Sequence, residues 1–277
     1  KFADAVPADD WPRNLERNGA DDGRHFPFLP DNRYLAIVHA DGNGLGQVLR
    51  SLAEQAKARP GEFVELFRDF STAVAVATEG AARHATAKVL LPEKEKNEIP
   101  MPARPIVLGG DDLTVLVRAD LAIAFTETFL QAFEEQTRAT LSEVRKNYPA
   151  ISGLPEALTA GAGIAFVKSS HPFHLAHALA ESLAAHAKQV AKQAGKHKDN
   201  GDAHGRIPPT LACHRVTTAS HGDYQDTLAQ ELTFGAAAPR IRTTLGAYGV
   251  DASPAQGLPA LADLQGLEAL LGSEAMA

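Results

Sequence analysis

At 277 residues, with 44% apolar and 22% charged side chains, the chain can bury a full core and has the balance of an ordinary globular protein. Its net charge of −7 speaks against a broad basic face that grips nucleic acid, but a local lysine pair with a divalent cation still suits a small anionic ligand. The single cysteine, Cys213, excludes an internal disulfide framework and a cysteine zinc site and points to a reducing, cytoplasmic setting, and no run nears the roughly 18 apolar residues of a membrane span.

No charged-then-apolar leader opens the chain, and its first residue is Lys1 rather than Met, which fits a start inside a longer protein. Residues 1–33 are rich in Asp, Arg, Asn, Gly and Pro without a sustained period, so they read as an arm or linker anchored by Trp11. Residues 34–40, Tyr-Leu-Ala-Ile-Val-His-Ala, read as a buried strand. It ends in Asp41-Gly42-Asn43-Gly44-Leu45-Gly46, and Leu45, Val48, Leu49, Leu52, Ala53 and Ala56 then follow helical spacing over 45–58. A strand, a glycine-rich turn and a helix N-terminus in that order offer backbone N–H groups and a positive dipole end to phosphate oxygens. A second helix is expected over about 62–84, with Phe63, Leu66, Phe67, Phe70, Val74 and Val76 on its apolar side. Residues 91–104, with alternating charges and three of the prolines Pro92, Pro100, Pro102 and Pro105, read as an exposed loop.

The hairpin expected over 105–118 is the most informative stretch. Two apolar runs flank what reads as a four-residue turn, Gly109-Gly110-Asp111-Asp112. Glycines there permit positive φ and a close approach of ligand to main chain. Adjacent carboxylates on a rigid bend suit a hard oxygen-seeking cation, Mg²⁺ or Mn²⁺. If the strand before Asp41 pairs beside this hairpin, Asp41, Asp111 and Asp112 converge at one sheet edge as a metal site for nucleotide phosphates.

A long helix is expected over 120–148 with Asp120 as N-cap, a strand over 158–167 and a helix over 172–194 closed by Gly195. A polar loop spans 196–207, and a last strand spans 209–217. Lys188 and Lys192 stand one helical turn apart. His171, His174 and His177 follow in steps of three, which drift off one helical face over two intervals, and they read as surface or core residues. His39 and Cys213 read as packing residues in strands. The remainder, with a Leu-rich tail over 258–271, reads as a C-terminal helical appendage. The order strand, helix pair, hairpin, helix, strand, helix, strand implies an α+β fold of ferredoxin-like type, its sheet covered by helices on one face.

Five segments in order resemble a known family: residues 40–46, Gly109-Gly110-Asp111-Asp112, residues 159–165, the helix around Ala187-Lys188-Gln189, and residues 212–216. They are similar to the second, active palm domain of the large subunit of type III CRISPR effector complexes, related to the GGDEF cyclases, over roughly 34–217. The resemblance implies a palm domain at 34–220 between the arm (1–33) and the appendage (221–277). It also implies an activity: a two-metal nucleotidyltransferase that joins ATP into cyclic oligoadenylate in CRISPR-type antiviral defence. Asp41, Asp111 and Asp112 would act as ligands, with the carbonyl of Gly42 as an extra oxygen. Gly42, Asn43, Gly44 and Gly46, with Gly109 and Gly110, would receive the nucleotide. Lys188 matches the family's triphosphate-binding lysine, and Lys192 would assist it. The family pattern departs at Asn43, where an acidic residue is usual. The nuclease domain, first palm and zinc element that precede this part in the family are not seen, so the chain is expected to be a fragment or a stand-alone member. Two other products of the same chemistry are a cyclic diguanylate and another cyclic dinucleotide; a non-catalytic nucleotide-binding subunit is the further alternative. Two palms facing each other imply a homodimer or a second palm-bearing subunit, within a CRISPR RNA–protein complex and away from membranes.

Overall fold

A computed structural model describes residues 2, 6–15, 25–30, 32–57, 60–151, 153–195, 206–217, 223–235, 240–251 and 257–271. The first strand, β1 (Tyr34–Gly42), lies in the middle of a six-stranded sheet, because its run of apolar residues suits burial on both faces. After it come α1 (Leu45–Ala56) and α2 (Pro60–Ala85), then β2 (Ala103–Gly109) and β3 (Asp112–Arg118). The sheet order is β2-β3-β1, followed by β4 (Ala160–Lys168), β5 (Thr210–Arg215) and, with its range below, β8. β1 pairs antiparallel with β3 on one side and β4 on the other, and β4 and β5 run parallel. The first four strands with α2 and α4 (Ala122–Asn147) form the split β-α-β pattern of a ferredoxin-like palm. The α+β reading therefore holds.

Helices cover both faces, not one. Ala36, Val38 and Ala40 of β1 pack in one core with Phe70 and Val74 of α2 and Phe125, Phe129 and Phe133 of α4. Leu35 and Ile37 point the other way, into a second core built on Ala176, Ala180, Leu183 and Ala187 of α5 (Phe173–Gly195). Period-two alternation sends neighbouring residues to opposite faces, so an unbroken apolar strand requires two covers.

Several boundaries differ from the sequence reading. The expected loop after α2 is helical: a π-turn spans Thr86–Leu90, and α3 (Leu91–Asn97) accepts Pro92 in its first turn, where no N–H is missed. Val76 is 51% exposed rather than packed. Asp120 is not the N-cap of α4; its carboxylate takes Arg118 Nε and Nη2 at 2.7 and 2.8 Å, and Leu121 holds the cap position without a side-chain bond. The strand β5 is not the last. After α6 (Tyr224–Gln230) come the small β6–β7 pair (Thr233–Phe234, Ile241–Arg242), then β8 (Tyr248–Gly249) along β5, and α7 (Leu261–Leu271). Among the described residues no helix is long and apolar enough to cross a membrane.

The contact that matters most for the site is α5 on β4, which at Gly163 leaves no room for a side chain. A β-carbon on Gly163 would drive into the Ala180 carbonyl and lie 2.5 Å from the Ala184 nitrogen. Gly163→Ala should therefore cost about 3 kcal/mol or more, because backbone rather than a flexible side chain must move. Urea unfolding of that variant measures it; a loss under about 1 kcal/mol would mean that helix and strand can separate without penalty.

Candidate metal centre

Local turn chemistry delivers three carboxylates to one place. Gly109 ends β2 and pairs with Asp112, which opens β3, so the hairpin closes over two residues, Gly110 and Asp111, and not four. Gly110 takes φ +61°, the left-handed conformation that glycine supplies at the first central position of such a turn. Pro105 sits at a register shift of the edge strand β2, where its missing N–H does least harm. Since Ala40 pairs with Leu113, Asp41 arrives beside the hairpin tip. One oxygen from each of Asp41, Asp111 and Asp112 lies within 4.8 Å of the others, a spacing that oxygens sharing a hard cation can take at about 2.0–2.6 Å each. Among the described residues this is the one group of three or more His, Cys, Asp or Glu side chains able to hold a metal.

The glycines around the cluster have separate reasons. At Gly42 a β-carbon would stand 2.8 Å from Asp111 Oδ2, so the carboxylate can reach the backbone, where the Gly42 N–H donates to it at 3.2 Å. At Gly161 of β4 a β-carbon would lie 2.6 Å from Lys188 Cγ, so the lysine stem crosses the strand there. That crossing carries the Lys188 ammonium to the carboxylate of Asp41 and, at 2.8 Å, to the carbonyl of Gly42. Lys192 lies exposed on the next turn of α5. Gly44 is the N-cap of α1 at φ +73°, and no side chain caps that helix. A β-carbon on Gly46 would meet nothing within 4 Å, which leaves the first turn of α1 open on that side.

Asn43 is buried and faces inward. Its backbone N–H donates to the Thr159 carbonyl at 2.8 Å and its amide to Thr159 Oγ1 at 3.0 Å, while that hydroxyl donates to the Ile207 carbonyl at 2.6 Å. The Asn43 amide nitrogen therefore fastens the glycine turn to the lead into β4, and its Oδ1 is buried without a partner. Arg206 steadies the other end of this chain through Glu134 at 2.9 Å and Asp251 at 2.8 Å. His39 lies on the same sheet face as Asp41, with Nδ1 3.1 Å from Thr114 Oγ1 and its ring 5.8 Å from that of His177. Burial holds His39 below the usual imidazole range against the pull of Asp112. Burial also pushes the Cys213 thiol up to about 11, in keeping with a packing role.

The three carboxylates do not titrate alike. Burial raises Asp41, but the hydrogen bond and charge of Lys188 outweigh it and hold this group below the ordinary range. Asp111 is pushed up to about 6, first by burial and then by the hydrogen bond and charge of Asp41. Asp112, the most open of the three, is raised by burial and by Asp41. An all-oxygen donor set with uncompensated negative charge fits a divalent cation.

A model of the Cas10/Cmr2 second palm domain matches residues 34–199, more than half of the chain. The chain belongs to that family. The matched stretch runs from β1 through α5 and so contains Asp41, the hairpin and Lys188. No curated protein matches it. Among solved structures, a bacterial tRNA(His) guanylyltransferase (Thg1)-like protein in complex with ATP is 13% identical over 74% of both chains, at a TM-score of 0.26, which is too low to carry an argument.

The raised Asp111 sets a sign for pH. Its folded value of about 6 exceeds the unfolded value, so ionising it destabilises the fold; the penalty is complete above about pH 6 and gone below about pH 4. The lowered Asp41 acts in the other direction, but only below about pH 4. In metal-free buffer Asp111→Asn should melt higher than the parent near neutral pH, with the gap closing between about pH 6 and pH 4. Paired thermal melts measure the gap, and one that stays constant across that range contradicts the shared-charge account.

Proposed function

We propose that this palm is a metal-dependent nucleotidyltransferase that joins ATP into cyclic oligoadenylate, as a signal in CRISPR-type antiviral defence. The observation that carries the reading is the convergence of Asp41, Asp111 and Asp112 within 4.8 Å beside the open N-terminus of α1, with Lys188 in reach. In this reading the carboxylates and the Gly42 carbonyl hold Mg²⁺ or Mn²⁺, two ions in all. When bound, the ions would acidify a 3′-hydroxyl and neutralise the phosphoryl oxygens. The N–H groups at the start of α1 receive triphosphate oxygens. The hydroxyl oxygen of one nucleotide bonds to the α-phosphorus of the next, the bond to the β-phosphate breaks, and pyrophosphate leaves while the hydroxyl proton passes to water.

Lys188 has two jobs in turn. It now bonds the same two oxygens, on Asp41 and Gly42, that a cation would take. With those oxygens given over to a cation, the ammonium would be free for the triphosphate. Lys192 on α5 and Gly109 and Gly110 at the hairpin are exposed, and the exposed Ile106 and Val107 of the edge strand would suit contact with a second palm, from another copy or another subunit. Asn43 supports the site by locking its turn rather than by reaching a ribose. Leu113 follows Asp112 where the GGDEF signature has Phe, and this favours the CRISPR-type product over a diguanylate.

The test is incubation of the protein, with any partner subunit it purifies with, in ATP and Mn²⁺. Pyrophosphate and oligoadenylate should appear, and Asp111→Ala with Asp112→Ala should cut both to below about one hundredth. A product from GTP instead would move the reading to a cyclic dinucleotide, and ATP binding without turnover would leave a nucleotide-binding subunit. In calorimetry Lys188→Met should weaken ATP binding yet strengthen binding of Mn²⁺ alone, since methionine leaves the oxygens of Asp41 and Gly42 free. Weaker Mn²⁺ binding in that variant would remove the two-job account.

A further inference from the structure

The hairpin tip bearing Asp111 and Asp112 has little of its own to hold it. Gly109 and Gly110 are exposed, and a β-carbon on either would meet no atom within 4 Å. Glycine also leaves the backbone free to leave its turn conformation. Against this loose tip stands the charge of Asp41, which repels both hairpin carboxylates at short range. Besides the hydrogen bond between the Asp111 and Asp41 carboxyls, which needs a proton on one of them, two bonds oppose that push. One is the Gly42 N–H on Asp111 Oδ2, made to an oxygen that a cation would also claim. The other comes from outside the sheet.

Thr78 lies on α2, is 1% exposed, and places Oγ1 2.7 Å from the carbonyl oxygen of Gly110 and 2.9 Å from that of Val74. The hydroxyl has one proton. In an α-helix the Val74 carbonyl already accepts the Thr78 backbone N–H, so the shorter bond to Gly110 is the better use of that proton. The Gly110 carbonyl belongs to the planar peptide that enters Asp111, so fixing its oxygen fixes the direction in which Asp111 departs. The anchor is firm, because Leu66, Phe70, Val74, Ala77 and Ala81 bury the inner side of α2.

We propose that Thr78 is a positioning residue of the metal centre, holding the Asp111–Asp112 tip against Asp41 through the Gly110 carbonyl. This rests on reading the carboxylate cluster as a cation site. A merely structural hydroxyl gives the contrast: Thr126 of α4 is equally buried and donates to the Ala122 carbonyl at 2.7 Å within its own helix rather than to the hairpin.

Free Mn²⁺ measured by electron paramagnetic resonance during titration gives the affinity of the parent and of Thr78→Val, Thr78→Ser and Thr126→Val. Thr78→Val should bind roughly tenfold more weakly, as loss of an outer-layer partner of a metal ligand does, and Thr78→Ser and Thr126→Val should stay within about twofold of the parent. Thr78→Ala, which also lacks the hydroxyl and adds no bulk, replaces the valine variant should that one not fold. Parent-like affinity in Thr78→Val, or an equal loss in Thr126→Val, overturns the positioning role while the metal reading stands. A parent that binds no Mn²⁺ overturns both.

Discussion

Carboxylates packed with oxygens inside 4.8 Å repel one another, and much of this architecture resists that repulsion. Asp41 is tied down by backbone pairing of β1 to strands on both sides. The hairpin is tied through β3 along six residues of β1, which fixes where its tip ends. Lys188 supplies one compensating charge and leaves the rest uncompensated; burial, and after it the hydrogen bond and charge of Asp41, raise Asp111 to about 6. The unfavourable charge is local, and the apolar cores on both sheet faces stabilise the strands that bear it.

Lys188 reaches the cluster only because α5 lies so close to the sheet. At Gly163 the strand backbone meets the backbone of α5 at Ala180 and Ala184, and at Gly161 it meets the stem of Lys188. A sheet and helix at ordinary separation would leave the ammonium short of the Gly42 carbonyl. The two glycines therefore act on chemistry at a distance, through the standoff of one helix.

What could be read from residues alone follows the range of the interaction concerned. The acidic turns were legible because turn chemistry is local: glycine next to aspartate after an apolar run states both the bend and what it presents. Composition alone reads the turn as four residues, because it does not show that Gly109 and Asp112 pair across the ladder. The alternating burial of β1, Leu35 and Ile37 against one cover and Ala36, Val38 and Ala40 against the other, was present as an unbroken apolar run, yet a ferredoxin-like pattern suggested one cover. Asn43 looked like a ligand-facing turn residue because its inward bond depends on Thr159, more than a hundred positions away. Thr78 gave no signal at all, since a threonine in the middle of a helix reads as one more core residue.

Charge arithmetic limits the order of events at such a centre. With all three carboxylates ionised, Asp41, Asp111 and Asp112 carry three negative charges against the one positive charge of Lys188, a local balance of −2. A triphosphate, itself strongly anionic, gains only the partial charge of about +0.5 at the start of α1, which is too little to offset that balance at contact distance. Divalent charge at the carboxylates would turn the balance attractive, and it would compete with Lys188 for the oxygens of Asp41 and Gly42, leaving the ammonium for phosphates. On the proposed function, cations would bind before the nucleotide or together with it, and the Lys188 ion pair with Asp41 would offset part of the carboxylate charge until then.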